Sequence, residues 1–283
     1  MSKSTIYKST ITLFILIVTF LSFSYLSGKD INSFEASTTP EIQTENPQEI
    51  IPEPSKEGYL PYIEIIDACG PSAVGSCVNM RTGPGEEYEV AARLRNGIVL
   101  PVEKIILVKG REWYKIKVDE DIQFPERVKD GWYIASGDYI KLFEDIGTKE
   151  ISLKTHATTT KRIVVDLSEQ MIYAYDEEKL FMKEPISAGL KDTPTPRGTF
   201  TVFKKTPSRY MQGPIEGVSD QYYDLPGVPW DLYFTAEGAV IHGTYWHDHF
   251  GEPWSHGCVN ISPQIAKKLY EWSVLGMPVI VQN

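Results

Sequence analysis

One stretch, residues 241–260, constrains the chain more than any other. It reads IHGTYWHDHFGEPWSHGCVN and holds one of the 3 cysteines and four of the 5 histidines. Cys258 lies sixteen residues after His242, so a loop between them can return the chain and place the two side chains together. A thiol becomes a nucleophile when a nearby base or cation favours the thiolate. The spacing therefore predicts a cysteine–histidine acyl-transfer site, with Cys258 as nucleophile and His242 as base.

Two separate motifs carry a family resemblance. The segments His242–Thr244 and Ser255–Asn260 resemble the signature of the YkuD-type L,D-transpeptidase catalytic domain. The segment Thr193–Phe200, TPTPRGTF, resembles a turn of the same family and lies far from the cysteine. The likeness covers roughly residues 160–283. It implies a β-sandwich catalytic domain with minor helix that crosslinks or trims bacterial peptidoglycan, using no cofactor.

Several neighbours of Cys258 are candidates for positioning the reaction. Gly257 lacks a side chain, so the backbone can approach a substrate carbonyl, and the N–H groups of Gly257 and Cys258 are candidate oxyanion donors. The resemblance implies that the carbonyl of Gly243 orients the imidazole, so no aspartate is required. It also implies that His256 positions the substrate or the thiolate, with a purely structural histidine as the alternative.

Three further residues are candidates for substrate binding. Asn260 matches the asparagine that follows the cysteine in the family signature, which implies contact with the carboxylate or amide of the donor peptide. Tyr233 and Trp254 are candidates for lining the cleft, and simple packing is the equal alternative for both.

A metal site is the competing interpretation of the same stretch. His247, Asp248 and His249, together with His256 and the two catalytic candidates, make six potential ligands, whereas zinc needs three or four in suitable geometry. The spacing matches no familiar metallopeptidase pattern, and the resemblance explains the other residues without a metal. We therefore expect no metal, and we predict that His247 and His249 are exposed loop residues.

The N-terminus predicts a membrane segment. Lys3 and Lys8 precede an uncharged apolar run, residues 11–26, which is shorter than the roughly 20 residues that comfortably span a bilayer. An anchoring helix is favoured over a cleaved signal peptide for residues 1–28, and either one places the following chain outside the cytoplasm. Residues 29–57 are rich in Pro and Glu and predict an extended linker.

Residues 58–148 predict a small β-barrel domain. Short strands alternate with Gly/Pro turns, and Val78–Gly85 resembles the opening motif of bacterial SH3-like domains. That resemblance implies binding of cell-wall peptide or glycan. The aromatic side chains of Trp113, Tyr114 and Trp132 are more simply explained as core residues.

The cysteines divide unequally. Cys69 and Cys77 lie close in sequence, while Cys258 is alone. In an oxidising compartment this division predicts one short disulfide and one reactive thiol, with two free thiols as the alternative. The net charge of −10 argues against a nucleic-acid partner.

In the second half of the chain, residues 210–229 show few strand signals, and we expect a loop or flap over the donor site. Ser262 and Pro263 are typical of a helix start, and a last apolar strand is expected at residues 279–281. The leading hypothesis is an extracytoplasmic peptidoglycan L,D-transpeptidase of mainly β architecture. An L,D-carboxypeptidase that uses water as acceptor and a non-catalytic wall-binding protein remain alternatives.

Overall fold

The computed structural model describes residues 47–118, 122–128, 132–217 and 219–283. The predicted membrane segment, residues 1–28, and the linker as far as residue 46 lie outside these residues. In the part that is described, no helix is long and apolar enough to cross a membrane.

The N-terminal part of the described chain is a sheet of eight strands. Their bounds are β1 (Gln48–Ile50), β2 (Leu60–Ile65), β3 (Val78–Arg81), β4 (Val90–Leu94), β5 (Val99–Val108), β6 (Arg111–Ile116), β7 (Tyr133–Ala135) and β8 (Ile140–Asp145). The order is β4-β3-β7-β6-β5-β2-β8, with β1 added to β5, and every pairing is antiparallel. Apolar side chains point inward, as alternation along the strands requires. The aromatic rings predicted as core residues, Trp113, Tyr114 and Trp132, are all buried.

The end of the predicted linker is a strand instead. β1 pairs with β5 in the register Gln48↔Leu107, and Glu49 forms an ion pair with Lys104 at 2.8 Å. The composition of this segment predicted an extended linker. A strand of only three residues among prolines and glutamates is too short to show an alternating apolar pattern. Its backbone groups pair with the open edge of the longer β5, which no local signal reveals.

The C-terminal part contains two five-stranded sheets and one α-helix. Their elements are β9 (Lys149–Glu150), β10 (Lys161–Asp166), β11 (Met171–Asp176), β12 (Lys179–Pro185), β13 (Gly198–Thr201), β14 (Lys204–Ile215), β15 (Ser219–Tyr233), β16 (Val240–Gly243), β17 (Val259–Ile261), α1 (Pro263–Trp272) and β18 (Pro278–Gln282). One sheet has the order β12-β11-β10-β18-β13 and the other β17-β16-β15-β14-β9. Apolar residues of both sheets and of α1 share one core, so the mainly β sandwich with a minor helix is as predicted.

The structure contradicts the loop that was predicted over residues 210–229. Strands β14 and β15 form a long antiparallel hairpin through this region. Register shifts between Arg209 and Met211 and between Gly213 and Ile215 break the two-residue alternation, which hides the strands from sequence analysis. We call residues 212–219, where the hairpin turns, the hairpin tip.

The N-terminal and C-terminal parts pack through shared cores. Val99 of β5 belongs to the C-terminal core, and Val228 of β15 belongs to the N-terminal one. The backbones touch at Gly227, where an added Cβ would lie 2.5 Å from the carbonyl oxygen of Val99. Gly227 also has φ +66°, a conformation that favours glycine, so only glycine allows this approach.

A loop of the N-terminal part also holds the hairpin tip. The N–H of Phe124 donates to Gln212 Oε1 at 2.8 Å, and Gln212 Nε2 donates back to the carbonyl of Phe124 at 3.1 Å. Gln123 Nε2 donates to the carbonyl of Pro214 at 3.2 Å, and Arg127 Nη1 donates to that of Gly213. This loop, residues 122–128, therefore fixes the tip through four hydrogen bonds.

Candidate active site

Two parallel strands bring the predicted nucleophile and base together. β16 and β17 pair in the register Ile241↔Val259 and His242↔Asn260. Ile241 and Val259 are buried in the sandwich core, so alternation places His242 on the other face of the same sheet. Cys258 directly precedes β17, is half-buried and has a free thiol. Its sulfur lies 4.0 Å from the carbonyl oxygen of Gly238, and the N–H of Val240, in the neighbouring strand, lowers the pKa of the thiol.

The turn before Cys258 is fixed by hydrogen bonds. Ser255 Oγ donates to the carbonyl of Cys258 at 2.6 Å and accepts the N–H of Gly257 at 3.1 Å. Gly257 has φ +115°, in the region where a side chain would be strained, so the turn requires glycine at this position.

These bonds change the predicted oxyanion arrangement. The N–H of Gly257 is taken by Ser255 Oγ, so the N–H of Cys258 is left as the donor of the predicted pair. The sequence pattern could not reveal this, because the serine hydroxyl reaches back only in the folded turn.

A distant segment supports the same turn. Ser187 and Asn260 exchange backbone hydrogen bonds at 2.9 and 3.0 Å. Thr195 Oγ1 accepts the N–H of Gly189 at 2.8 Å and donates to the carbonyl of Cys258 at 3.4 Å. Thr195 lies in the TPTPRGTF motif, so that motif has a role in the site beyond its value for recognition.

His242 is held as a neutral base. Its side chain is buried, and Nδ1 lies 3.1 Å from the carbonyl oxygen of Gly243, so that Nδ1–H donates and Nε2 is left as the acceptor. Burial lowers the pKa of His242 to about 3, with help from the positive charge of Arg209 and from His247, against the opposing bond to Gly243. At neutral pH the imidazole therefore carries no charge.

The electrostatics of Cys258 follow the same logic. Burial raises the pKa of its thiol, while the charge of Arg209 and the N–H of Val240 lower it and Asp231 raises it further. The directions of both pKa shifts favour a neutral thiol beside a neutral imidazole in the resting protein. Because Nδ1–H is bonded to Gly243, Nε2 of His242 is the nitrogen that can take the thiol proton as the sulfur attacks, and the lowered pKa makes it a weak base in the resting protein.

Arg209 is the residue that sequence analysis missed. It lies in β14, opposite Val228, and its guanidinium carbon is 5.3 Å from the ring centroid of Tyr233. Nothing in its local sequence separates it from a surface arginine of a strand, because its importance comes from the sheet that places it near Cys258 and His242.

The structure corrects the prediction for His247. This residue is buried, not exposed, and its Nε2 lies 2.9 Å from Nδ2 of Asn260. Its Nδ1 accepts the backbone N–H of His249 at 3.2 Å, and burial lowers its pKa to about 4. Asn260 is itself only 3% exposed and its side chain contacts His247 inside the protein, while its predicted contact with the donor peptide stays a prediction. His249 is exposed, as predicted.

The remaining predicted residues surround this centre. His256 is half-buried, and its Nε2 lies 3.2 Å from Ser219 Oγ, which connects the catalytic turn to the hairpin tip. Tyr233 is half-buried in β15 and pairs with Val240. Trp254 is 48% exposed and stacks on His249 with ring centroids 4.1 Å apart.

Among the described residues, no three His, Cys, Asp or Glu side chains are grouped as a metal ion would require. The geometry instead combines a free thiol, a buried neutral imidazole and backbone donors. This is the class of site that performs acyl transfer through a covalent thioester.

Comparison with known families agrees with that class. Residues 160–281 match the family model of the YkuD L,D-transpeptidase catalytic domain.

Individual relatives are similar over limited regions. The probable L,D-transpeptidase 3 of Mycobacterium tuberculosis is 34% identical over 104 residues, which are 35% of this chain and 38% of that relative. An L,D-transpeptidase structure from Mycobacterium smegmatis is 22% identical, covers 61% of this chain and 91% of its own, and has a TM-score of 0.41. The catalytic domain of an Enterococcus faecium L,D-transpeptidase is 28% identical over 44% of this chain and 99% of its own, with a TM-score of 0.38.

Proposed function

We propose that the protein is a peptidoglycan L,D-transpeptidase that uses Cys258 as its nucleophile. The donor is the tetrapeptide stem of one peptidoglycan strand, and the acceptor is an amine of a second stem. The observation that carries the proposal is the pairing of β16 with β17, which sets a free thiol beside a buried neutral histidine inside a domain of this family.

The first half-reaction forms a thioester. The sulfur of Cys258 attacks the carbonyl that precedes the terminal D-Ala, and His242 takes the thiol proton. The C–N bond then breaks, and the proton passes from His242 to the leaving D-Ala amine. The N–H of Cys258 donates to the oxyanion that develops in between, a contribution typically worth about 3–4 kcal/mol.

The second half-reaction forms the crosslink. The acceptor amine attacks the thioester carbonyl and loses a proton to His242. The C–S bond breaks, a new amide bond forms, and the proton returns to the sulfur.

We further propose that residues 58–148 form an SH3-like wall-binding domain and that residues 11–26 anchor the protein to the outer face of the cell membrane. The antiparallel sheet with short turns supports the first proposal. The disulfide between Cys69 and Cys77 supports an extracytoplasmic location, since disulfides persist in oxidising compartments.

The test is mass spectrometry of the products that the full-length protein forms from a disaccharide-tetrapeptide, with Cys258→Ala beside it. Crosslinked dimer and free D-Ala, both absent with the variant, are the expected result. Tripeptide without dimer would identify a carboxypeptidase that uses water as acceptor. Products that persist in the Cys258→Ala protein would refute the thiol mechanism.

A further inference from the structure

Arg209 has a feature that packing alone does not explain. One of its terminal nitrogens, Nη1, is buried and has no hydrogen-bond partner among the described residues. A buried cation with an unused donor is unfavourable unless it serves a negative charge. The side chain is nevertheless held in place, because its guanidinium lies over the ring of Tyr233.

The sheet connects this arginine to the nucleophile. Tyr233 pairs with Val240 of β16, and β16 pairs with β17, which Cys258 directly precedes. Arg209 lies on the next strand, β14, and its guanidinium lies over the Tyr233 ring, so that its positive charge acts on both Cys258 and His242. The other ionisable groups that face it are on β15, namely Asp231, Tyr223 and Tyr233.

The charges of the catalytic residues explain why a cation at position 209 is useful. Many cysteine nucleophiles owe their thiolate to a protonated histidine, but His242 is buried and neutral at physiological pH. When His242 takes the thiol proton, the imidazolium that forms is disfavoured by its burial, so a second, permanent positive charge further stabilises the negative sulfur. The arginine is the fixed cation within electrostatic reach, and a guanidinium stays protonated throughout the physiological range.

We propose that Arg209 is a positioning residue that supplies the permanent positive charge for the anionic form of Cys258, while His242 only moves the proton. The proposal rests on the proposed function in one respect, the assignment of Cys258 as nucleophile. In this proposal His242 is the base and Arg209 is the counter-ion.

The test measures the thiolate directly. The full-length protein is alkylated with iodoacetamide, an uncharged reagent, and the rate of modification of Cys258 is followed by mass spectrometry from pH 6 to 10. Arg209→Met should move the midpoint of the profile to higher pH and slow alkylation at pH 7 by about tenfold or more, since only the thiolate reacts. Arg209→Lys keeps the charge and should restore most of the rate.

Lys204→Met is the matched control. Lys204 is also on β14, and its ammonium lies 5.1 Å from the same Tyr233 ring, but its ion-pair partner is Glu150, on β9. Loss of this second cation should leave the alkylation profile unchanged. An equal shift with Lys204→Met would mean that general loosening of the Tyr233 region, and not the charge of Arg209, controls the thiol.

A second variant, expected to shift the alkylation midpoint in the opposite direction, keeps the test decisive if Arg209→Met does not fold. Asp231 is buried and raises the pKa of Cys258, so Asp231→Asn should move the alkylation midpoint to lower pH. Opposite shifts in the two variants would support an electrostatic role. A folded Arg209→Met protein with the wild-type profile would overturn the proposal, and so would an unchanged profile in Asp231→Asn if Arg209→Met does not fold.

The readout also separates this proposal from the proposed function, because alkylation needs no donor stem. An unchanged alkylation profile combined with a higher KM for the tetrapeptide would show that Arg209 binds the substrate carboxylate, which contradicts the counter-ion role. A shifted profile in a protein that forms no crosslink would support the counter-ion role and refute only the transpeptidase assignment.

Discussion

The two halves of the described chain bury different kinds of side chain. In the N-terminal sheet, within residues 47–145 as described, no Ser, Thr, Asn, Gln, His or charged residue is buried. All such buried residues lie between Gln170 and Ser273. The first half is thus held by apolar packing, a disulfide and exposed ion pairs, whereas the second half keeps polar groups inside the protein.

Burying a polar group costs free energy unless the group forms hydrogen bonds. The buried polar side chains of the second half therefore indicate a function other than stability. Ser255 and Thr195 fix the backbone of the catalytic turn. Lys205 donates to the carbonyls of Tyr270 and Ser273 at the end of α1, at 2.6 and 2.7 Å. The difference teaches that buried polar side chains mark the half of this molecule that performs chemistry.

The largest effect is expected at His242. His242→Gln removes the base but keeps an amide that can donate to the carbonyl of Gly243, so the acyl-transfer rate should fall by about 10²–10⁴-fold. The rate of D-Ala release measures it. His249→Gln, an exposed histidine in the loop that follows β16, is the control, and a His242→Gln rate within a few-fold of wild type would show that another group is the base.

The disulfide should affect stability and not chemistry. Replacing Cys69 and Cys77 by serine opens a short loop in the N-terminal sheet and should lower the free energy of unfolding by about 2–3 kcal/mol. Urea denaturation measures the loss, and the alkylation profile of Cys258 should stay unchanged. A shifted profile would contradict the separation of the two halves.

Lys205 should give the second half a distinct pH dependence. Burial lowers its pKa from 10.5 to about 8. Between those values the unfolded chain holds a proton that the folded chain has released, so stability rises with pH across this window. From pH 7.5 to 9.5 the gain should be roughly 1–2 kcal/mol.

The matched comparison for this prediction is Lys205→Met, which should lack the rise. The difference between the two proteins cancels the common contribution of tyrosines, which begin to ionise in the unfolded chain near pH 10. Parallel curves for wild type and variant, measured by urea denaturation, would exclude Lys205 as the source.

The smallest effect is expected at the surface of the N-terminal sheet. Arg111 and Glu86 form an ion pair at 2.9 Å, and both side chains are exposed, by 46% and 74%. Glu86→Gln should change the free energy of unfolding by less than about 1 kcal/mol, and added salt should reduce the effect further. A loss similar to that of the disulfide would mean that the N-terminal half also depends on polar contacts.

Much of the fold could be predicted from local patterns. Alternating apolar residues identified β10 and β11, and Pro263 marked the first residue of α1. The spacing from His242 to Cys258 predicted the shape of the site, because two short strands and a connecting loop are enough to bring the residues together.

What could not be predicted depends on contacts between distant segments. The hairpin of β14 and β15 is hidden by register shifts. His247 appears polar and loop-like in the sequence, but Asn260 provides a buried partner for its ring. Arg209 belongs to the site only because of the order of the strands in its sheet. The sequence of a single segment does not predict that order.

The hydrogen bonds between loop 122–128 and the hairpin tip affect how chimaeras of such proteins should be designed. Gln212 is bonded to Phe124 on one side of the tip, and Ser219 lies against His256 on the other. A chimaera cut in the connection near residue 155 would separate the tip from the loop that fits it. The smallest exchangeable unit is therefore the N-terminal sheet together with residues 212–219, so a successful graft would follow these contacts and not the boundary visible in the sequence.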